Sequence, residues 1–239
     1  MQKKFIPYNA LAAFVADFFD VLGVGSFAIY STFYKFRKSV DDLKLPGTLN
    51  AGNAIPVCVE ALLLISAVQV DPLTLICTIG AAIIGANLGA RFVVKLNRTK
   101  VRYAMFIGLF IVGCIMVCKQ LNVGPFGAVG TAMGLEGAKL VIGTIICGIL
   151  GALMNIGVGM YAPTMALVLL LGMDANAAFP IMVGSCAFLM SFGNGPKFIE
   201  KKAYDICAAP TMAIFGTCGA LFSFFFVYDL LHQNINVLI

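Results

Sequence analysis

Residues Ala16–Ala28 read ADFFDVLGVGSFA, and residues Leu153–Ala162 read LMNIGVGMYA. Leu22-Gly23-Val24-Gly25 in the first stretch matches Ile156-Gly157-Val158-Gly159 in the second, residue for residue. Both stretches lie inside long apolar segments, where glycine weakens a continuous helix. Each pair of glycines therefore marks a break at membrane depth. The first copy adds two carboxylates, Asp17 and Asp20, and the second adds Asn155. The chain reads as two related halves organised around these breaks.

The match extends outward at the same spacing. Ala28 pairs with Ala162, Pro46 with Pro180, Gly85-Ala86 with Gly219-Ala220, and Leu96 with Leu230. Internal symmetry of this kind is common in secondary transporters. The halves are residues 1–119 and 139–239, joined by a glycine-rich connector at 120–138. No partner to the fourth apolar segment follows the seventh, so the second half is read as shortened.

Composition agrees with a membrane protein. The chain is 61% hydrophobic and 11% charged, against about 25% charged in a soluble domain. Lys3 and Lys4 precede an apolar run that is too long for a signal core and has no small-residue cleavage site. The net charge of +5 sits in short clusters between apolar segments, as topology signals do, and does not suggest nucleic acid. The eight cysteines form no dense metal-ligand pattern; Cys114 and Cys118 share a helix face as small hydrophobes.

Seven apolar segments follow in order, at about 7–34, 46–68, 73–96, 103–118, 140–172, 179–195 and 206–228. The fifth is too long for one ordinary crossing, so a break near 155–163 is expected. If every segment crosses once, the 16 Lys and Arg residues divide almost evenly between the two sides. If segments one and five begin and end on the same side, all but Lys119 and Lys139 share one side. That split fits the positive-inside rule. It makes segments one and five re-entrant or tightly hairpinned and puts the amino terminus in the cytoplasm. Each half then holds an odd number of full crossings, which gives inverted repeats. Seven simple crossings with parallel halves is the competing arrangement. The expected fold is an all-α integral membrane protein of two homologous halves with broken or re-entrant helices.

A broken helix leaves backbone N–H groups to be satisfied, and a half-helix amino end attracts an anion. The candidate binding residues are Gly23, Gly25, Ser26 and Phe27 at the first break. At the second they are Asn155, Gly157, Gly159, Met160, Tyr161 and Pro163. Thr48, Asn50 and Asn53 could hold ligand oxygens, as could Gly184 and Ser185 in the matching stretch. Interhelical hydrogen bonding is the equal alternative for these polar residues. Carboxylates at this depth face a cavity or pair with another group, so Asp20 and Glu60 are the coupling candidates, with protons as the coupling ion. Asp17 is expected nearer a wet surface. Gly85 and Gly89 suit close helix packing within one subunit or across a homodimer.

The LGVGSFAIY and IGVGMYAPT motifs, with Pro46-Gly47-Thr48 and Gly184-Ser185 after them, resemble the sulfite exporter TauE/SafE family of membrane permeases. The resemblance covers nearly the whole chain. It implies export or uptake of small anions such as sulfite, thiosulfate or organosulfonates across a prokaryotic cell membrane. The chain departs from the family pattern at Ile29, where the second half has Pro163, and in the added Asp17 and Asp20.

No enzyme is indicated. His232 stands alone near the tail, no serine has a plausible histidine and acid set, and no phosphate-binding loop occurs. No cofactor or metal is called for. A cation-linked carrier or channel is the alternative the carboxylates favour, and a non-transporting membrane scaffold is the alternative from another class.

Overall fold

The structure is a computed structural model that describes residues 5–93, 130–156 and 158–228, together with positions 99, 103, 106, 107, 110, 114 and 117. Gly157, most of the fourth segment, the connector up to residue 129, and Lys3, Lys4, Leu96, Leu230 and His232 lie outside the described residues.

The described chain is helical. Its helices are α1 (Ile6–Val21), α2 (Ser26–Arg37), α3 (Leu45–Gly52), α4 (Ala54–Ala67) and α5 (Pro72–Val93). Then come α6 (Gly137–Leu153), which closes in a 3₁₀ turn at Met154–Ile156, and α7 (Tyr161–Leu170). The last two are α8 (Ala175–Glu200) and α9 (Ala208–Val227). Among the described residues, four helices are long and apolar enough to cross a bilayer, or five if the bent pair α3–α4 counts as one. The expectation of an all-α, multi-span chain holds at this level.

Each long segment folds back on itself. The Tyr8 hydroxyl at the start of α1 donates to the Phe33 carbonyl near the end of α2, at 2.9 Å. The Arg37 guanidinium lies over the Tyr8 ring, 5.6 Å from its centre. In the other segment, a Cβ on Gly143 of α6 would lie 3.3 Å from Leu171, just past the end of α7. Segments one and five are thus helical hairpins whose two ends lie together, the arrangement that the basic residues favour.

The hairpin turns have local causes. α1 ends in a Schellman motif, with Gly23 N–H on the Asp20 carbonyl (2.8 Å) and Val24 N–H on the Phe19 carbonyl (3.1 Å). Gly23 sits at φ 87°, a left-handed position that favours glycine. α7 ends the same way, with Gly172 at φ 100° and Met173 N–H on the Val168 carbonyl at 3.1 Å. At the end of α2 the matching position, one repeat earlier, is Lys38 at φ 49°.

The contacts divide the chain into two units. One joins Met1–Leu63 to Met190–Ile239, and the other is Leu64–Leu189. In the first unit α9 packs on α1; in the second α5 packs on α6. These pairs correspond through the same spacing as the glycine motifs. The close approaches correspond as well. A Cβ on Gly85 would strike the Gly148 carbonyl, and one on Gly219 would strike the Phe14 carbonyl. A Cβ on Gly151 would strike the Ala82 carbonyl, and one on Gly216 would strike the Asp17 carboxylate. Even the caps agree: Thr74 N–H donates to Asp71 Oδ2 (2.8 Å), and Ala208 N–H donates to Asp205 Oδ1 (2.9 Å). The repeat in the letters is therefore also a repeat of contacts. Within each unit, the opening hairpin of one half packs against a later helix of the other half.

Small residues set the depth of packing in the first unit. Ala12, Ala13 and Ala16 form a buried face on α1, and Tyr30 and Tyr34 of α2 are buried in the same cluster. In the second unit Val168, Met173, Ala177, Ala178 and Ile181 form the corresponding core with Leu135.

Candidate functional site at the helix breaks

The first break is four residues long, Leu22-Gly23-Val24-Gly25, between α1 and α2. Gly25 has φ 82° and ψ 107° and carries no side chain to cap the helix it precedes. The cap comes from α1 instead. Ser26 N–H donates to Asp20 Oδ1 at 2.6 Å, and Ser26 Oγ lies 2.7 Å from Asp20 Oδ2. A carboxylate at a helix amino end is favoured by the helix dipole and shortened by charge assistance. Asp20 thus occupies the place that the sequence reading reserved for an anion from outside.

Asp17 lies one turn earlier on the same face of α1. It is fully buried, so the expectation of a wet position is corrected: the alanines of α1 and Gly216 of α9 let neighbouring helices close over it. The Tyr30 hydroxyl donates to Asp17 Oδ2 at 2.7 Å. Asn53 sits where α3 and α4 bend by 42°. One end of its amide lies 2.8 Å from Ser26 Oγ, and the other lies 2.9 Å from Asp17 Oδ1 and 3.2 Å from Oδ2. Asp20, Ser26, Asn53 and Asp17 therefore form one connected polar chain, with Tyr30 at its end. All five are buried. Removing two carboxylates from water costs several kcal/mol each unless they are well compensated, so this cluster is held by specific bonds rather than tolerated by solvent.

The second break is built differently. Asn155 Nδ2 donates to the Ala86 and Ala152 carbonyls, both at 3.0 Å, and ties the 3₁₀ turn to α5. Gly159 does not have the positive φ seen at Gly23 and Gly25. Met160 precedes α7 and its own side chain gives that helix no cap, and Met154 stands where the first half has Asp20. Pro163 is its third residue and has no N–H to satisfy. The counterparts of Asp17, Asp20, Ser26, Tyr30 and Asn53 are Gly151, Met154, Met160, Thr164 and Ala187. Four of those five are apolar. The buried hydroxyls of Thr164 and of Ser185, in α8, have no hydrogen-bond partner among the described residues.

The remaining candidates are placed as follows. Thr48 Oγ1 donates to the Lys44 carbonyl (2.8 Å) and accepts from Asp205 N–H (2.9 Å). Asn50 Nδ2 donates to the Pro46 carbonyl at 2.8 Å. All three bonds fasten α3, and none of them joins either residue to the polar chain. Glu60 is buried on α4. Phe27 packs on the first core cluster. Gly184 faces the side chains of Ile79 and Ile65, and Tyr161 is buried at the start of α7. The sequence reading missed Tyr30 and undervalued Asp17. Their spacings from Ser26 and Asp20, one helical turn in each case, were the available signal. Among the described residues, no group of three or more His, Cys, Asp or Glu is placed to hold a metal ion.

Compared with protein-family models, with curated proteins and with solved structures, the chain matches none of them.

Proposed function

We propose that the chain is a secondary transporter of small anions, of the TauE/SafE type, with sulfite, thiosulfate and organosulfonates as the substrate class. It works in a cell membrane by alternating access between inverted repeats, with its amino terminus in the cytoplasm. The observation that carries this reading is the pair of matched helical hairpins, each interrupted where the sequence carries a copy of the glycine motif. Corresponding contacts in the two units support a duplicated architecture of the kind used for alternating access.

The two breaks take different roles in this reading. The first is closed to an outside anion by Asp20 and holds the coupling proton. The second receives the substrate. Met154 and Met160 stand there in place of Asp20 and Ser26, and the buried hydroxyls of Thr164 and Ser185 lie in the same unit. A dipolar helix end with a hydroxyl in its first turn, that of Thr164, matches a small oxyanion.

Flux into vesicles carrying the purified chain tests the function. Sulfite, thiosulfate and a sulfonate are offered with and without an inward proton gradient. Saturable flux of at least one anion, changed by the gradient, is the expected result. Rates equal to those of protein-free vesicles for all three anions would remove the proposal. Labelling of single cysteines at 35–44 and 197–202 tests the topology: both regions should react from the cytoplasmic side.

A further inference from the structure

Three short contacts run in line through the first break. Asp20 Oδ2 lies 2.7 Å from Ser26 Oγ, Ser26 Oγ lies 2.8 Å from one end of the Asn53 amide, and the other end lies 2.9 Å from Asp17 Oδ1. Each contact is a hydrogen-bond distance between electronegative atoms, so each requires a hydrogen. Ser26 has one hydroxyl hydrogen. The Asn53 amide turns its NH₂ to one side only and its carbonyl to the other. Two donors serve three contacts, and the third hydrogen has to sit on a carboxyl group.

We propose that Asp17 and Asp20 share one bound proton, and that the orientation of the Asn53 amide is locked to which of them carries it. With the proton on Asp17, its O–H donates to the Asn53 carbonyl. The Asn53 NH₂ then donates to Ser26, and the Ser26 hydroxyl donates to Asp20. With the proton on Asp20, its O–H donates to Ser26. Ser26 then donates to the Asn53 carbonyl, and the Asn53 NH₂ donates to Asp17. Passing between these states breaks one O–H bond at Asp17 and forms one at Asp20. The amide turns end for end, the serine hydroxyl swings round, and the pair keeps one negative charge throughout. With no proton on the pair, two acceptors face each other at less than about 3 Å in one of the contacts, which is repulsive.

Tyr34 is a second observation beside this chain. It is fully buried, its hydroxyl has no hydrogen-bond partner among the described residues, and its ring lies 5.6 Å from that of Tyr30. It also lies within the electrostatic reach of Asp17. A buried hydroxyl with no partner among the described residues thus lies within electrostatic reach of the group whose protonation alternates. The other groups acting on Asp17 are Asp20, Tyr30, Asn53 and Ser26. α2 also carries Lys35 and Arg37, both exposed, and α3–α4 carries Cys58 and Glu60. The packed helix α9 brings no acid or strong base, and its Cys218 is exposed.

The proposal does not depend on what the protein carries. It is tested by infrared spectroscopy of the purified full chain, with ¹³C-labelled aspartate so that Glu60 and the other glutamates stay out of the count. The wild type should show one protonated aspartic carboxyl per chain at neutral pH. That band should vanish in Asp17→Asn and equally in Asp20→Asn, because either new amide supplies the missing hydrogen. A count of zero or two in the wild type, or a band that survives in either variant, would overturn the proposal. Should the variants fail to fold, the wild-type count decides alone.

Discussion

The break between α1 and α2 and the break between α6 and α7 share a sequence motif and stand at corresponding places in their units, yet the side chains at matching positions are opposite in kind. The first is lined by Asp17, Asp20, Ser26, Tyr30 and Asn53, all buried and hydrogen-bonded to one another. The second has Gly151, Met154, Met160 and Ala187 at four of the same places. A duplicated motif therefore does not mean a duplicated site. The backbones already differ, since Gly159 lacks the positive φ of Gly25, and the side chains at matching positions differ further.

The strongest test of the shared part is at the helix crossings. Gly85→Leu and Gly219→Leu should each destabilise the chain by about 3 kcal/mol or more, since both place side-chain atoms on backbone. Thermal midpoints in detergent should fall by similar amounts. A large drop in one and none in the other would break the correspondence between the units.

The next test separates the breaks. Asp20→Leu leaves the Ser26 N–H and hydroxyl without their acceptor, at a cost of about 2 kcal/mol or more. Met154→Leu, its counterpart, conserves shape and should cost less than about 1.5 kcal/mol. Equal costs would mean that Asp20 fills space rather than capping α2. A milder version uses the glycines. Gly25→Ala forces a side chain into left-handed backbone and should cost about 1–2 kcal/mol. Gly159→Ala should cost clearly less, and the reverse order in denaturation midpoints would contradict the backbone difference.

The smallest effect lies at the helix caps. Asp71→Ala should cost about 1 kcal/mol. The side-chain and backbone hydrogen bonds from Thr74 hold the Asp71 carboxyl below its ordinary range. Its contribution is therefore fully present above the ordinary carboxylate pKa and is lost as pH falls through the lowered one. Wild type and variant should converge in acid. A gap that widens as pH falls would have the wrong sign.

Much of this architecture was legible in the sequence because it rests on backbone. Gly23 and Gly25 announce a turn that few other residues adopt, and the distribution of basic residues favours long segments that return to their starting end. The pairing of α5 with α6 and of α9 with α1 was less legible. It depends on which faces meet, and one glycine of each contact, such as Gly148 or Gly216, falls outside any motif. At the first break the Ser26 N–H, expected to face a ligand, donates instead to Asp20, three residues before Gly23 on the same chain. Asp17 looked peripheral because its position in the apolar run says nothing of the helices that cover it.

We infer that an anion binds at the second break because Met154 stands there where the first break has Asp20. Met154→Asp puts one at the position matching Asp20. Uptake of ³⁵S-labelled sulfite into vesicles, compared between wild type and a Met154→Asp protein of similar thermal midpoint, tests it directly. The wild type should take up sulfite saturably and the folded variant should not; undiminished uptake by the variant would contradict the account.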